Sequence, residues 1–225
     1  MEQRQQITDT LARMHLPSGL GTPENACSIA AINLALTGKL TDRIPACMSE
    51  VVGNCIIVMQ DSMPDSLRNS TRWKSLLPLA AGTGRSHEPE RLQILMDHMW
   101  TVALPIVQPL ADARGFGGAW REMIVERSAE SALSAWSAAA SAQRSAASVA
   151  WIAEESAAES ALSAERSAAW SAASCALSAE WSAARSAASA AACALSAESA
   201  AWSAAWDTLD PCGLLERLIA VTEAQ

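Results

Sequence analysis

The chain has 225 residues, with 24 acidic against 16 basic side chains and a formal charge of −8. That length allows one or two domains, and the acidic balance argues against nucleic acid and against an anionic membrane surface as partners. With no Tyr and a single Phe, any stacking on bases would fall to Trp alone. The charge is uneven: residues 1–118 carry 11 acidic and 10 basic groups, a net of −1, and residues 119–225 carry 13 and 6, a net of −7. Met1 to Arg13 has no apolar core of the kind a secretory signal needs. The longest apolar run, Cys55 to Met59, is far short of a membrane span. Cys27, Cys47, Cys55, Cys175, Cys193 and Cys212 form neither a CxxC pair nor a zinc spacing. They read as small, reduced core residues of a cytoplasmic protein.

In chain order, Glu2 to Met14 predicts an amphipathic helix with Ile7, Leu11 and Met14 on one face, followed by a loop through Pro17 and Gly19. Thr22-Pro23-Glu24 has the form of a helix start, with Thr as N-cap, Pro at N1 and an acid in the first turn. That helix is apolar nearly all round, from Cys27 to Leu36, and Gly38 stops it. Ser49-Glu50 opens the next helix, through Ile56, Ile57 and Met59, and Pro64 ends it. A helix around Ser70 to Ala81 carries Trp73, Leu76 and Leu77, with Pro78 as a kink. Ser86 or His87 opens a longer one that runs to Leu110, divided by Pro105 and Pro109. The glycines at 115, 117 and 118 mark a joint and a domain boundary. At the far end Asp210-Pro211 starts a short helix with Leu214, Leu215, Leu218 and Ile219.

Between these lies a repeat. Residues 128–206 contain 34 Ala, 20 Ser, 6 Trp and 4 Leu in 79 positions, without Pro or Gly. Ser-Ala pairs recur at steps of three or four, close to the helical period, and Ala outweighs the helix penalty of Ser. The pattern predicts one unbroken helix from about Gly118 to Asp207, roughly 130 Å long at about 1.5 Å per residue. Ten charged residues in the repeat are too few for a lone solvated helix held by ion pairs. Trp170, Trp181, Trp202 and Trp206 fall within one quadrant, with Leu177 and Leu195 beside them. Those six residues form the expected interaction surface. The helix could pair with its own copies as an alanine coiled coil or pack along another protein. It could also curve, because Ser hydroxyls that bond back to the carbonyl four residues earlier bend helices.

Candidate chemistry is sparse. His87, Glu88, Glu90, Asp97 and His98 could form a metal site or an acid/base pair, but they read better as the solvated face of a helix. Gly82-Thr83-Gly84-Arg85 could cradle an anion, yet it lacks the Lys of a phosphate loop and reads as a connection. No Gly-x-Ser-x-Gly nucleophile turn occurs. The Trp stripe could hold a planar ligand, but it reads better as packing. No catalytic, metal or cofactor-binding residue is assigned.

Leu20-Gly-Thr-Pro-Glu, Ala30 to Gly38, Thr41-Asp-Arg-Ile-Pro, Leu76 to Arg85 and Leu110 to Gly117 resemble uncharacterised bacterial and phage proteins that join a small helical domain to an Ala-rich repeat. The Ala-rich half is also similar in style to proteins labelled as immunity proteins. The resemblance implies no active site. The expectation is an all-α protein with a helical domain at 1–117, a long Ala/Ser helix at 118–208 and a C-terminal clasp helix at 209–225. Its expected role is structural and non-enzymatic, with itself or another protein as partner. A binding module that sequesters a partner or small ligand, and an ice- or surface-binding protein, are the alternatives.

Overall fold

The computed structural model describes residues 2–128, 130–132, 134–135, 137–138, 141 and 202–221. The regular elements among them are helical, as expected, and an isolated β-bridge joins Gly21 to Ala26. No described helix is long and apolar enough to cross a membrane. The chain divides into two compact units. Unit 1 comprises Met1–Ile94 together with Asp210–Gln225, and unit 2 comprises Leu95–Leu209. The glycine joint expected as a boundary falls inside unit 2. The C-terminal helix belongs with the first residues of the chain.

Unit 1 is built from α1 (Glu2–Arg13), α2 (Ser28–Thr37), α3 (Glu50–Ser62), the single turn α4 (Asp65–Arg68), α5 (Thr71–Ala80), the start of α6 (Glu88–His98) and, from the far end, α10 (Pro211–Ala220). Helix α2 lies at the centre, because its sequence offers no polar face to water. Ile29, Ala30, Ala31 and Ile32 are fully buried, and α1, α3 and α5 pack around it. Gly38 closes it in the left-handed conformation (φ 70°), donating its N–H to Leu34 O, a position that charges a steric cost to any residue with a Cβ.

The start of α2 differs from the expectation. Thr22 and Asn25 bond to each other's backbone in a turn, with Thr22 N–H to Asn25 O at 2.8 Å. The helix begins six residues after Thr22, at Ser28, with Cys27 as its cap. The Thr-Pro-Glu signal is local. It is overridden because the bridge from Gly21 to Ala26 and the bond from Cys27 N–H to Leu20 O fix the chain as a tight loop.

A buried polar chain then joins α2, α3 and α5. The Trp73 indole N–H donates to Ser28 Oγ at 3.1 Å, Ser28 N–H donates to Gln60 Oε1, and Gln60 Nε2 donates to Pro17 O at 3.0 Å. Buried Arg68 extends it, donating to Leu16 O, Gln60 O and Met63 O at 2.7, 2.8 and 2.9 Å. Two of those carbonyls lie at the C-terminal end of α3, where a helix leaves acceptors without intrahelical donors.

Unit 2 contains the end of α6, a π-helical segment (Met99–Ala103), α7 (Leu104–Ala113), α8 (Gly117–Glu126) and α9 (Trp202–Leu209). The expected division at Pro105 takes the form of that π segment. Pro105 has no N–H for a carbonyl four residues back and its ring crowds that carbonyl. The preceding Leu104 N–H bonds instead to Met99 O, five residues back, a register that absorbs the defect. Trp120 on α8 is fully buried against α7, with its indole N–H on Leu104 O at 3.0 Å. Gly117 is required where α8 begins, because a Cβ there would collide with the Asp112 carboxylate.

The helix expected to run unbroken from about Gly118 ends at Glu126. Arg127 turns left-handed (φ 50°) and donates its N–H to Met123 O. A new start follows. Ser131 N–H donates to Ser128 Oγ at 3.1 Å and Ser128 N–H donates to Ser131 Oγ at 3.3 Å. This reciprocal pair is a capping box with Ser in both places. In the described residues beyond it, Ala132 and Ala135 are buried while Ser134, Ser137 and Ser141 are exposed. Residues 142–201, and with them most of the expected long helix, lie outside the described residues.

Four cysteines are described, all as free thiols, with Cys27, Cys55 and Cys212 buried and Cys47 exposed. Burial pushes the Cys27 and Cys212 thiols up and takes Cys55 from 9.0 to about 12. In the native protein at pH 8, iodoacetamide should modify Cys47 well before those three, as peptide mapping would read. Cys55 is raised in the folded state, so its contribution to stability is complete below about pH 9 and declines as pH rises towards 12. A urea midpoint that falls less steeply over that range in Cys55→Ala checks the sign.

Candidate functional site

Of the cluster named from sequence, His87, Glu88 and Glu90 belong to unit 1, and Asp97 and His98 to unit 2. His87 and Glu90 are exposed, 3.6 Å apart. Glu88 points to α3, Asp97 is exposed and His98 is buried. Among the described residues no group of three His, Cys, Asp or Glu could hold a metal ion.

What Glu88 does is structural. Its carboxylate accepts from Ser49 Oγ at 2.9 Å, Glu50 N–H at 3.0 Å and Val51 N–H at 3.1 Å. Those donors form the N-terminus of α3, where unpaired N–H groups and the helix dipole favour an anion. The Gly82-Thr83-Gly84-Arg85 loop completes the arrangement. Ser49 N–H donates to Thr83 Oγ1 at 2.9 Å, Gly84 N–H donates to Cys47 O at 2.9 Å, and Arg85 pairs with Glu50. The loop binds the α3 start through Thr83, Gly84 and Arg85, while the anion at that helix start is the chain's own Glu88.

One helical turn further, Arg91 is fully buried. Its guanidinium donates to Leu218 O at 3.1 Å, to Thr83 O at 3.0 Å and to Ser86 O. Burial pushes Arg91 down from its ordinary value, and Glu88 and Glu90 oppose that shift. A rigid fork of donors suits three carbonyls that diverge from one point, which an ammonium could not match. Leu218 lies in the last turn of α10, where carbonyls lack intrahelical partners. Arg91 is thus a cap for a helix that follows it by 127 positions in sequence.

The other end of α10 is held at the surface. Arg72 on α5 grips Glu216 in bidentate fashion, both distances 3.0 Å, and reaches Asp210 Oδ1 at 3.0 Å. The hydrogen bond to Glu216 raises Arg72 above its ordinary value. Asp210 also caps α10, accepting from Gly213 N–H at 3.0 Å in a left-handed conformation (φ 40°). Between the two grips, Leu214, Leu215 and Leu218 are buried in the groove of α3 and α5, each contributing about 1.5–3 kcal/mol.

Of the expected interaction surface, Trp170, Leu177, Trp181 and Leu195 lie outside the described residues. Trp202 and Trp206 sit on α9, which packs against the π segment within unit 2. Trp206 is buried, at 3% exposure, and among the described residues its indole N–H has no acceptor. The Arg91 and Glu88 arrangements escaped the sequence reading, because their partners are backbone groups that no residue type announces.

Arg91→Met should lower stability by about 3 kcal/mol, since it leaves buried carbonyls unpaired. Arg72→Ala should cost under about 1 kcal/mol, because its ion pairs are exposed. Urea titrations at low and high salt would separate them: the Arg72 effect shrinks with salt and the Arg91 effect does not.

Compared with known proteins, the chain matches no family model, no curated protein and no solved structure.

Proposed function

We propose that this is a non-enzymatic structural protein. A helical platform holds both ends of an Ala/Ser/Trp repeat, and the repeat is the packing surface through which copies associate. The observation that supports the reading best is the Arg91 contact with Leu218 O at 3.1 Å. The chain leaves unit 1 after Ile94 and is back in it at Asp210. A straight helix over residues 118–207 would set its ends roughly 130 Å apart. The flanking segments, largely helical at about 1.5 Å per residue, are too short to bring them together again. A curved or returning repeat meets that constraint.

The chain's own hydroxyls supply a cause for curvature. Thr8, Thr10, Thr37 and Thr101 each bond back to the carbonyl four residues earlier, the interaction that bends helices. The serine ladder repeats that opportunity along one side. The absence of catalysis is inferred from how the polar groups are engaged. Glu88, Arg91, Arg68 and Asp210 each close a helix end. The free thiols fit a reducing, cytoplasmic setting.

Light scattering on the intact chain should give a mass that rises with concentration, and Trp170→Ala with Trp181→Ala should suppress the rise. A strict monomer at every concentration would sink the association. X-ray scattering should give a maximum dimension for the monomer well below the rod length, and a rod-like profile would overturn the returning repeat.

A further inference from the structure

We infer that unit 1 carries a binding site for a small carboxylic acid with an apolar body, in the pocket where Arg4 lies over Gly82. The pocket opens between the first turns of α1, the end of α2 and the end of α5, and encloses about 170 Å³. A cavity of about 150 Å³ accommodates a benzene ring, so the space suits a ligand of one small ring or a short branched chain. Ile7 and Pro78 are buried and supply apolar wall, with half-buried Leu36 beside them. Arg4, Cys47 and Gly82 form the exposed rim.

The choice of a carboxylate follows from Arg4. Arg68, Arg72 and Arg91 all direct their guanidinium groups to acceptors. Among the described residues the guanidinium groups of Arg4, Arg43 and Arg127 have no such acceptor, and of these three Arg4 is the one that lines the pocket. Its position does not help the helix either, because a cation in the first turn of α1 opposes the dipole. Gly82 lies directly against it: a Cβ there would stand 3.2 Å from Arg4 Nη2. A forked donor at the mouth of an apolar pocket is the arrangement that binds a carboxylate in bidentate fashion.

Rival locations are weaker. The N-terminus of α3 is already filled by Glu88. A second cavity, of about 60 Å³, is lined by Asp42 and Asp61, which repel an anion. The proposed site lies wholly within unit 1 and does not depend on the repeat or on self-association.

The test uses the intact chain and benzoate as the probe, with benzamide as a neutral isostere and acetate as an anion without a ring. Binding should be weak, with Kd on the order of 1 mM, so about 10 mM benzoate suffices. Benzoate should raise Tm and slow alkylation of Cys47 by iodoacetamide at least threefold or so, read by peptide mapping, whereas benzamide and acetate should do neither. Arg4→Met should abolish the protection while leaving the ligand-free Tm near its original value. Cys47→Phe, which fills the pocket from its rim, should abolish the thermal shift. Unprotected Cys47 in the original chain, equal protection by benzamide, or full protection retained in Arg4→Met would each overturn the assignment.

Discussion

A buried guanidinium that bonds three carbonyls, and no carboxylate, holds the start of α6 to the end of α10. Desolvating a charge is costly unless its hydrogen bonds are fully replaced. Arg91 replaces them with Leu218 O, Thr83 O and Ser86 O. The consequence is topological as much as energetic. Unit 1 is not complete until the last helix of the chain has been made and returned, because α10 fills the groove of α3 and α5 with Leu214, Leu215 and Leu218. Everything between Ile94 and Asp210 is therefore an insertion between the two chain segments that make up unit 1.

The same solution recurs in unit 1. Short helices multiply helix ends, and each end exposes backbone groups that burial would leave unsatisfied. Arg68 closes the end of α3, Glu88 closes its beginning, and Asn69 takes Leu16 N–H at 2.8 Å where α1 gives way to the loop. Lys74 reaches Met14 O at 2.6 Å beside it. Charged side chains here act on the backbone more than on each other. That division of labour accounts for Glu88 and Arg91, two residues with a catalytic look whose polar atoms bond helix ends. Arg4 differs: its guanidinium has no such engagement and lines a pocket of unit 1.

The legible parts of the fold are those whose signals are local and unopposed. Ser49 and Ser70 cap α3 and α5, Gly38 ends α2, and Asp210-Pro211 opens α10, all as their residue types predict. Ile7 and Leu11 mark the buried face of α1. Where a local signal competes with a tertiary one, the reading fails. Thr22-Pro23 is a sound cap motif that loses to the loop closed by Gly21 and Ala26. The returning helix was legible as a helix but not as a member of unit 1, because the Arg91–Leu218 bond joins a side chain to a carbonyl that every residue possesses. In the same way Arg72, Asp210 and Glu216 are ordinary surface residues until α5 and α10 are adjacent.

The break at Arg127 shows why the serine period alone does not decide continuity. A step of three or four residues satisfies a helical stripe, yet Ser at i and i+3 also satisfies a capping box, in which each hydroxyl takes the other's backbone N–H. Which outcome wins depends on what the preceding turn can bury. Helix α8 buries Gly117, Trp120 and Met123 in succession. The next position on that face is Arg127, and Val125 is left 75% exposed. With nothing apolar to carry the helix onward, Arg127 turns left-handed and Ser128 with Ser131 starts a new helix. Two residues of the ladder thus act as punctuation, although composition and period present them as part of one uninterrupted run.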